Sequence, residues 1–111
     1  MSDCIFCKLA AGEIPSNKVY EDEHILAFHD IAPQAPAHIV FIPKEHMAQS
    51  AADINEGNAP VVGKIFVAIA KVAREQGLES YRIINNCGAD AGQTVAHLHF
   101  HLLGGRIFGA F

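Results

Sequence analysis

Along the chain the spacing of apolar positions switches between a helical and an alternating rhythm, and each switch marks an element. CIFCKLAA, residues 4–11, has helix-like spacing and stops at Gly12 with Pro15 soon after, which predicts one or two helical turns. NKVYEDEHILAFHDI reads as two strands, about 17–21 and 24–29, joined as a hairpin at the acidic turn Glu21-Asp22-Glu23. Pro33 and Pro36 then force an extended or turning connection, because proline fixes its own φ and disfavours helix at the residue before it. A third strand is expected from His38 through Ile39, Val40, Phe41 and Ile42 to Pro43. VVGKIFVAIAKVAREQG places apolar residues at Val61, Val62, Ile65, Phe66, Ile69, Val72 and Ala73 and ends at Gly77. It predicts the longest helix, with Asp53 or Asn58 as cap. YRIIN, 81–85, is a fourth strand, and Gly88 and Gly92 mark a tight loop that can approach a ligand closely. The fifth strand should contain AHLHFHLLGG, 96–105, and end at Gly104-Gly105. Five strands, one long helix and a short N-terminal helix predict an α+β fold with a mainly antiparallel sheet.

Composition narrows the picture. At 111 residues, half of them hydrophobic, the chain is expected to form a single domain, 1–111. The net charge is −4, and eight Lys and Arg residues are spread from Lys8 to Arg106 without a basic run. A nucleic acid polymer is therefore not an expected partner, whereas a single nucleotide remains open. MSDCIFCKLAAGEIP has neither the basic start nor the apolar stretch of a secretory signal, and VFIP and VAIA fall far short of the roughly 20 residues of a membrane helix. These features predict a cytoplasmic protein with no membrane partner. Cys4 and Cys7 form one C-x-x-C and Cys87 stands apart with no assigned role; an odd count argues against a secreted disulfide framework.

The chemistry concentrates in the fifth strand. Alternation puts His97, His99 and His101 on one face and Leu98, Phe100 and Leu102 on the other, the core side. Neighbouring histidines are then separated by roughly 6.5–7 Å, so two can converge on one metal ion while a third ligand usually comes from elsewhere. The row suits a bound phosphate, toward which imidazole can act as nucleophile, general acid or hydrogen-bond donor. A single strand histidine is more often a surface or satisfied core residue. Three in alternation beside a glycine loop favour a functional role.

His97-Leu98-His99-Phe100-His101-Leu102-Leu103 resembles the signature of the histidine triad family of nucleotide hydrolases and transferases. FHDIAPQAPAHIVFIPKEH and HLLGGR are similar to its Hint branch, which typically cleaves phosphoramidate bonds to purine nucleotides. The resemblance implies His99 as nucleophile on the α-phosphorus, through a covalent nucleotidyl-histidine intermediate. His101 would serve a phosphate oxygen or the leaving group, and His38 would join the network of His97. Such a nucleophile needs its other ring nitrogen to donate to a fixed acceptor, and the His97 carbonyl is the candidate. Asp30 would bind the ribose hydroxyls, and Asn85, Gln93 and Thr94 would line the site, Thr94 standing where many relatives have serine. Ile5, Phe6, Leu9, Phe28, Ile31 and Val40 would form an apolar slot for the purine of an AMP- or GMP-type ligand.

By itself the cysteine pair could be redox-active, metal-binding or two buried thiols, and it supplies half of a tetrahedral zinc site. The resemblance adds His46 and His97, implying structural Zn²⁺ on Cys4, Cys7, His46 and His97, with no metal required for the chemistry. Ala68, Ala70 and Ala73 give the long helix small residues on more than one face, and relatives are homodimers, so a homodimer is expected. Two rival readings stay open: a dinucleoside polyphosphate hydrolase or nucleotidyl transferase, and a nucleotide-binding interaction protein with little catalytic role.

Overall fold

Strand segments with apolar residues at consecutive positions must be buried on both sides, and that need sets the layering of this chain. The computed structural model describes residues 4–110, so both ends of the expected 1–111 domain lie outside the described residues. In chain order the elements are α1 (Ile5–Ala10), β1 (Lys18–Glu21), β2 (Ile25–His29), β3 (Ala37–Pro43), α2 (Ala59–Glu75), β4 (Tyr81–Ile84) and β5 (Phe100–Gly104), with short 3₁₀ turns at Ala51–Asp53 and Ala89–Ala91. The sheet order is β1-β2-β3-β5-β4, and every neighbouring pair is antiparallel. Fold class and element order agree with the sequence pattern.

Successive side chains of β2 and β3 go to opposite faces. Ile25, Ala27, Ile39 and Phe41 join Leu98, Phe100 and Leu102 in the larger core, against Ile65, Ala68, Ile69, Val72 and Ala73 of α2. Leu26, Phe28, Val40 and Ile42 face the other way and are covered by Phe6, Leu9 and Ala10 of α1. The sheet is thus sandwiched between a long and a short helix. Asn58 precedes α2 without a side-chain cap bond, Pro60 sits in its first turn, and Gly77, at φ +73°, follows its C-cap Gln76. Among the described residues, no helix is long and apolar enough to cross a membrane.

Two expectations are corrected. The pairing of β5 begins at Phe100, so residues 96–99 are not strand. The reason lies in β3: its last residue, Pro43, has no N–H to offer, and its carbonyl is taken by the His97 ring at 2.9 Å. Leu98 N–H donates instead to the Ala48 carbonyl at 2.9 Å. The second correction concerns α2. Ala68 and Ala73 are 3% and 1% exposed and face the chain's own core, so they give no outer surface to a second copy. Ala70 is half-buried.

Candidate functional site

Each triad histidine has one ring nitrogen committed to a fixed partner, and that partner decides where the ring carries its hydrogen. A carbonyl can only accept, so the nitrogen facing it must be N–H. His99 Nδ1 lies 2.7 Å from the His97 carbonyl and donates to it, which leaves Nε2 with its lone pair. No hydrogen-bond partner meets that Nε2 among the described residues. The backbone of His99 is held in turn, since Asn85 Nδ2 donates to its carbonyl at 2.8 Å. Phe6 of α1 presents its ring edge-to-face to His99, with centroids 5.0 Å apart.

His38 and His101 form the next pair. In the β3–β5 register His38 lies opposite Leu103 and Val40 opposite His101, so His38 and His101 are diagonal neighbours on one face. The backbone N–H of Gln34 donates to His38 Nδ1 at 3.0 Å, so the hydrogen of neutral His38 is on Nε2. That nitrogen lies 2.9 Å from His101 Nδ1 and donates to it. His101 then carries its own hydrogen on Nε2. Asp30 Oδ2 is 3.5 Å from His38 Nε2, and Asp30 Oδ1 accepts from Ala32 N–H at 2.7 Å. Burial pushes His101 down to about 4, with His99 and His38 adding to the effect and Asp30 opposing it. Burial also lowers His38 below the ordinary histidine value, against the pull of Asp30. Both rings are therefore neutral at pH 7. His38 thus belongs with the last triad residue and not with His97, because β3 pairs with the strand that begins after His97.

His97 is fully buried and turned the other way. Its Nε2 donates to the Pro43 carbonyl, so the Nδ1 lone pair faces Cys4 Sγ at 3.3 Å and Cys7 Sγ at 3.6 Å. His46 Nδ1 is 3.3 Å from Cys7 Sγ. One donor atom from each of Cys4, Cys7, His46 and His97 lies within 4.8 Å of the others. Tetrahedral zinc, with bonds of about 2.3 Å to sulfur and about 2.0 Å to nitrogen, sets a sulfur–nitrogen pair about 3.5 Å apart. The observed spacings fit that ion. Burial, then the bond and charge of Cys4, raises the Cys7 thiol above its ordinary value, a cost that a dication between the sulfurs would reverse. The α1 helix supports the cluster, since Cys4 is its N-cap and accepts from Cys7 N–H through Sγ at 3.3 Å.

The remaining expected residues divide. Phe6, Leu9, Phe28 and Val40 pack together on the α1 side of the sheet, next to the histidines. Ile31 is fully exposed and Ile5 is 48% exposed, so neither belongs to that cluster. Ile5 and Thr94 instead share a groove of about 470 Å³ with Cys4, His46, Gln49, Val95 and Ala96. Asn85 and Gln93 have their amides occupied by the scaffold. Asn85 Oδ1 accepts from Ala51 N–H at 3.0 Å, while Gln93 accepts from Gly88 N–H at 2.8 Å and donates to the Gln49 and Val95 carbonyls. The loop they brace turns through Gly88 and Gly92, at φ +90° and +95°, where a side chain would be strained. Residue patterns missed the Pro43 carbonyl and the Gln34 N–H, which any residue type can supply; the prolines flanking Gln34 were the available hint.

A family model described as "Scavenger mRNA decapping enzyme C-term binding" matches residues 3–108. An uncharacterized HIT-like protein of Synechococcus elongatus is 48% identical over 105 residues, covering 94% of this chain and 91% of that protein. Among solved structures, a HIT family hydrolase from Clostridium thermocellum superimposes with a TM-score of 0.94 at 49% identity, covering 100% of this chain and 97% of that one. A histidine triad protein from Clostridium difficile matches with a TM-score of 0.94 at 50% identity and the same coverage.

Proposed function

The chain belongs to the histidine triad (HIT) family and has the fold of HIT family hydrolases, and on that premise we propose that it hydrolyses purine nucleoside 5′-phosphoramidates, as in the Hint branch. The observation that carries this reading is the proton placement: His99 Nε2 holds a free lone pair while neighbouring His101, its ring centroid 5.1 Å away, holds an N–H.

His99 Nε2 attacks the α-phosphorus and forms a phosphorus–nitrogen bond as the bond to the leaving amine breaks. The leaving nitrogen takes its proton from a water molecule, while His101 Nε2–H hydrogen-bonds that nitrogen and stays on its ring, whose Nδ1 lone pair is held by His38 Nε2–H. The positive charge gained by the His99 ring is met by the His97 carbonyl. The hydroxide left by that water then adds to phosphorus as the bond to His99 breaks, releasing the nucleoside monophosphate with His99 restored. Phe6, Leu9, Phe28 and Val40 offer the purine an apolar wall, and Asp30 offers the ribose a carboxylate.

Zinc on Cys4, Cys7, His46 and His97 would be structural, four protein ligands leaving no open position, and would tie α1 to the segment before β5. We also infer a homodimer; Val67 and Phe66 on the outer side of α2 are 70% and 43% exposed and suit such a contact. The test is AMP release from adenosine 5′-phosphoramidate by the wild type and by His99→Ala. No release by the wild type, or equal release by the variant, overturns the mechanism.

A further inference from the structure

The hydrogen bond between His38 and His101 can run in either direction. With the hydrogen on His38 Nε2, His101 presents an N–H to the reacting group. With both rings flipped to the other tautomer, His101 Nδ1 would donate to His38, and His101 Nε2 would present a lone pair to an anionic phosphate. Only the first arrangement supplies a donor there. The selection is made by Gln34, whose N–H at 3.0 Å forces His38 Nδ1 to accept. What holds Gln34 therefore matters for the reaction.

Gln34 is gripped from the end of β5. Arg106 Nε donates to the Gln34 carbonyl at 3.1 Å, while Arg106 Nη1 donates to the Ile107 carbonyl at 3.1 Å and the guanidinium stacks 4.3 Å from the centre of the Phe108 ring. Next to it, Gly105 at φ +89° lets Pro36 come so near that an added Cβ would lie 3.0 Å from Pro36 Cβ. Arg106 and Gly105 follow β5 directly, so the strand that carries His101 also carries the latch on the loop that orients His38.

We propose that Arg106 is a positioning residue for the reaction: by holding the Gln34 carbonyl against the end of β5, it keeps the Gln34 N–H on His38 and so fixes the proton direction of the His38–His101 pair. The catalytic consequence rests on the proposed phosphoramidase reading; the tautomer consequence does not. Asp30, 3.5 Å from His38 Nε2, favours the same proton position, so releasing the latch shifts the balance and does not abolish it.

The experiment combines imidazole ¹⁵N NMR with kinetics on the full chain. In the wild type at pH 7.5, Nδ1 of both His38 and His101 should show the shift of an unprotonated nitrogen. In Arg106→Ala those shifts should move toward the N–H value, and kcat for adenosine 5′-phosphoramidate should fall about 5- to 10-fold with KM within about twofold, less than the loss of the His101 N–H donor itself. Arg106→Lys, which can still donate to the carbonyl, should recover part of both. Gln34→Pro removes the N–H outright and should move the same nitrogens at least as far. Unchanged shifts in folded Arg106→Ala overturn the proposal, above all if Gln34→Pro moves them. Should the wild type fail to cleave the phosphoramidate, the functional reading falls, and the nitrogen shifts still decide the role of Arg106.

Discussion

Two clusters flank His99, and by inventory and distance they look alike. Cys4, Cys7, His46 and His97 bring their donor atoms within 4.8 Å of one another, and so do Asp30, His38 and His101. Backbone groups make them different. The Pro43 carbonyl takes the hydrogen of His97 and leaves a lone pair among the thiols, which is what a metal ion needs. The Gln34 N–H takes the lone pair of His38 and leaves a hydrogen pointing at His101, which is what a proton chain needs. A histidine cluster is thus read by which nitrogen the main chain occupies, more than by how close the side chains come.

The sharpest way to break this contrast is to remove one cluster at a time. Cys4→Ser/Cys7→Ser should abolish metal binding and lower stability by about 3–5 kcal/mol, because metal binding free energy is folding free energy in a small protein. Thermal unfolding should show a Tm drop of about 10–20 °C, at about 4 °C per kcal/mol for a chain of this size. A metal-free wild type of equal Tm would remove the distinction. His101→Gln is the counterpart: kcat should fall about 100-fold through loss of the placed N–H donor at the reacting group, with metal content by elemental analysis unchanged. If that variant lost metal as well, the two clusters would be one unit.

Much of this arrangement could be read from residues, and the part that could not has a common cause. The α2 helix and the two-sided β3 strand follow from apolar spacing, because burial acts on side chains and side chains are what a sequence spells. The Cys4–Cys7–His46–His97 grouping came through resemblance, since ligands 93 positions apart share no local pattern. The late start of β5 and the pairing of His38 with His101 were not legible. Both depend on main-chain groups of Pro43 and Gln34, whose availability is decided only once the strands are in register. Asn85 and Gln93 illustrate the same limit from the other side. The resemblance implied that both line the ligand site, yet their amides satisfy backbone groups of the loop and of His99.

A smaller effect separates the clusters by pH. His101 is held near 4 when folded, mainly by burial, while an unfolded histidine binds its proton near 6.5. Between those values the unfolded chain holds more protons, so stability is fully present above about 6.5 and is lost as pH falls toward about 4. His38, shifted the same way, adds to the loss; Asp30 opposes it, and His99 faces the pair from the same side. The folding equilibrium constant should drop by at most about tenfold per pH unit for each such group. Denaturant melts at pH 7 and pH 5 should show a smaller difference for His101→Gln than for the wild type. An equal difference would mean that this pair stays neutral in neither state's favour.

Phe6 belongs to both regions and gives the smallest and finest test. Its ring meets His99 edge-to-face at 5.0 Å, His97 at 5.8 Å and Phe28 at 5.7 Å, so it touches the cysteine–histidine cluster, the proposed nucleophile and the proposed purine wall. Phe6→Leu keeps an apolar side chain on α1 and removes the aromatic geometry, which costs about 1 kcal/mol. Were the clusters independent, that loss would fall on stability alone, and both metal affinity and turnover would stay put. Because α1 carries Phe6 one residue from Cys7, the substitution should instead weaken zinc affinity and raise the KM for adenosine 5′-phosphoramidate together, each by a few-fold, with kcat little changed. Competition with a chelator reads the first and steady-state kinetics the second. A change in one without the other would show that the main chain between Cys4 and His99 insulates the two clusters from each other.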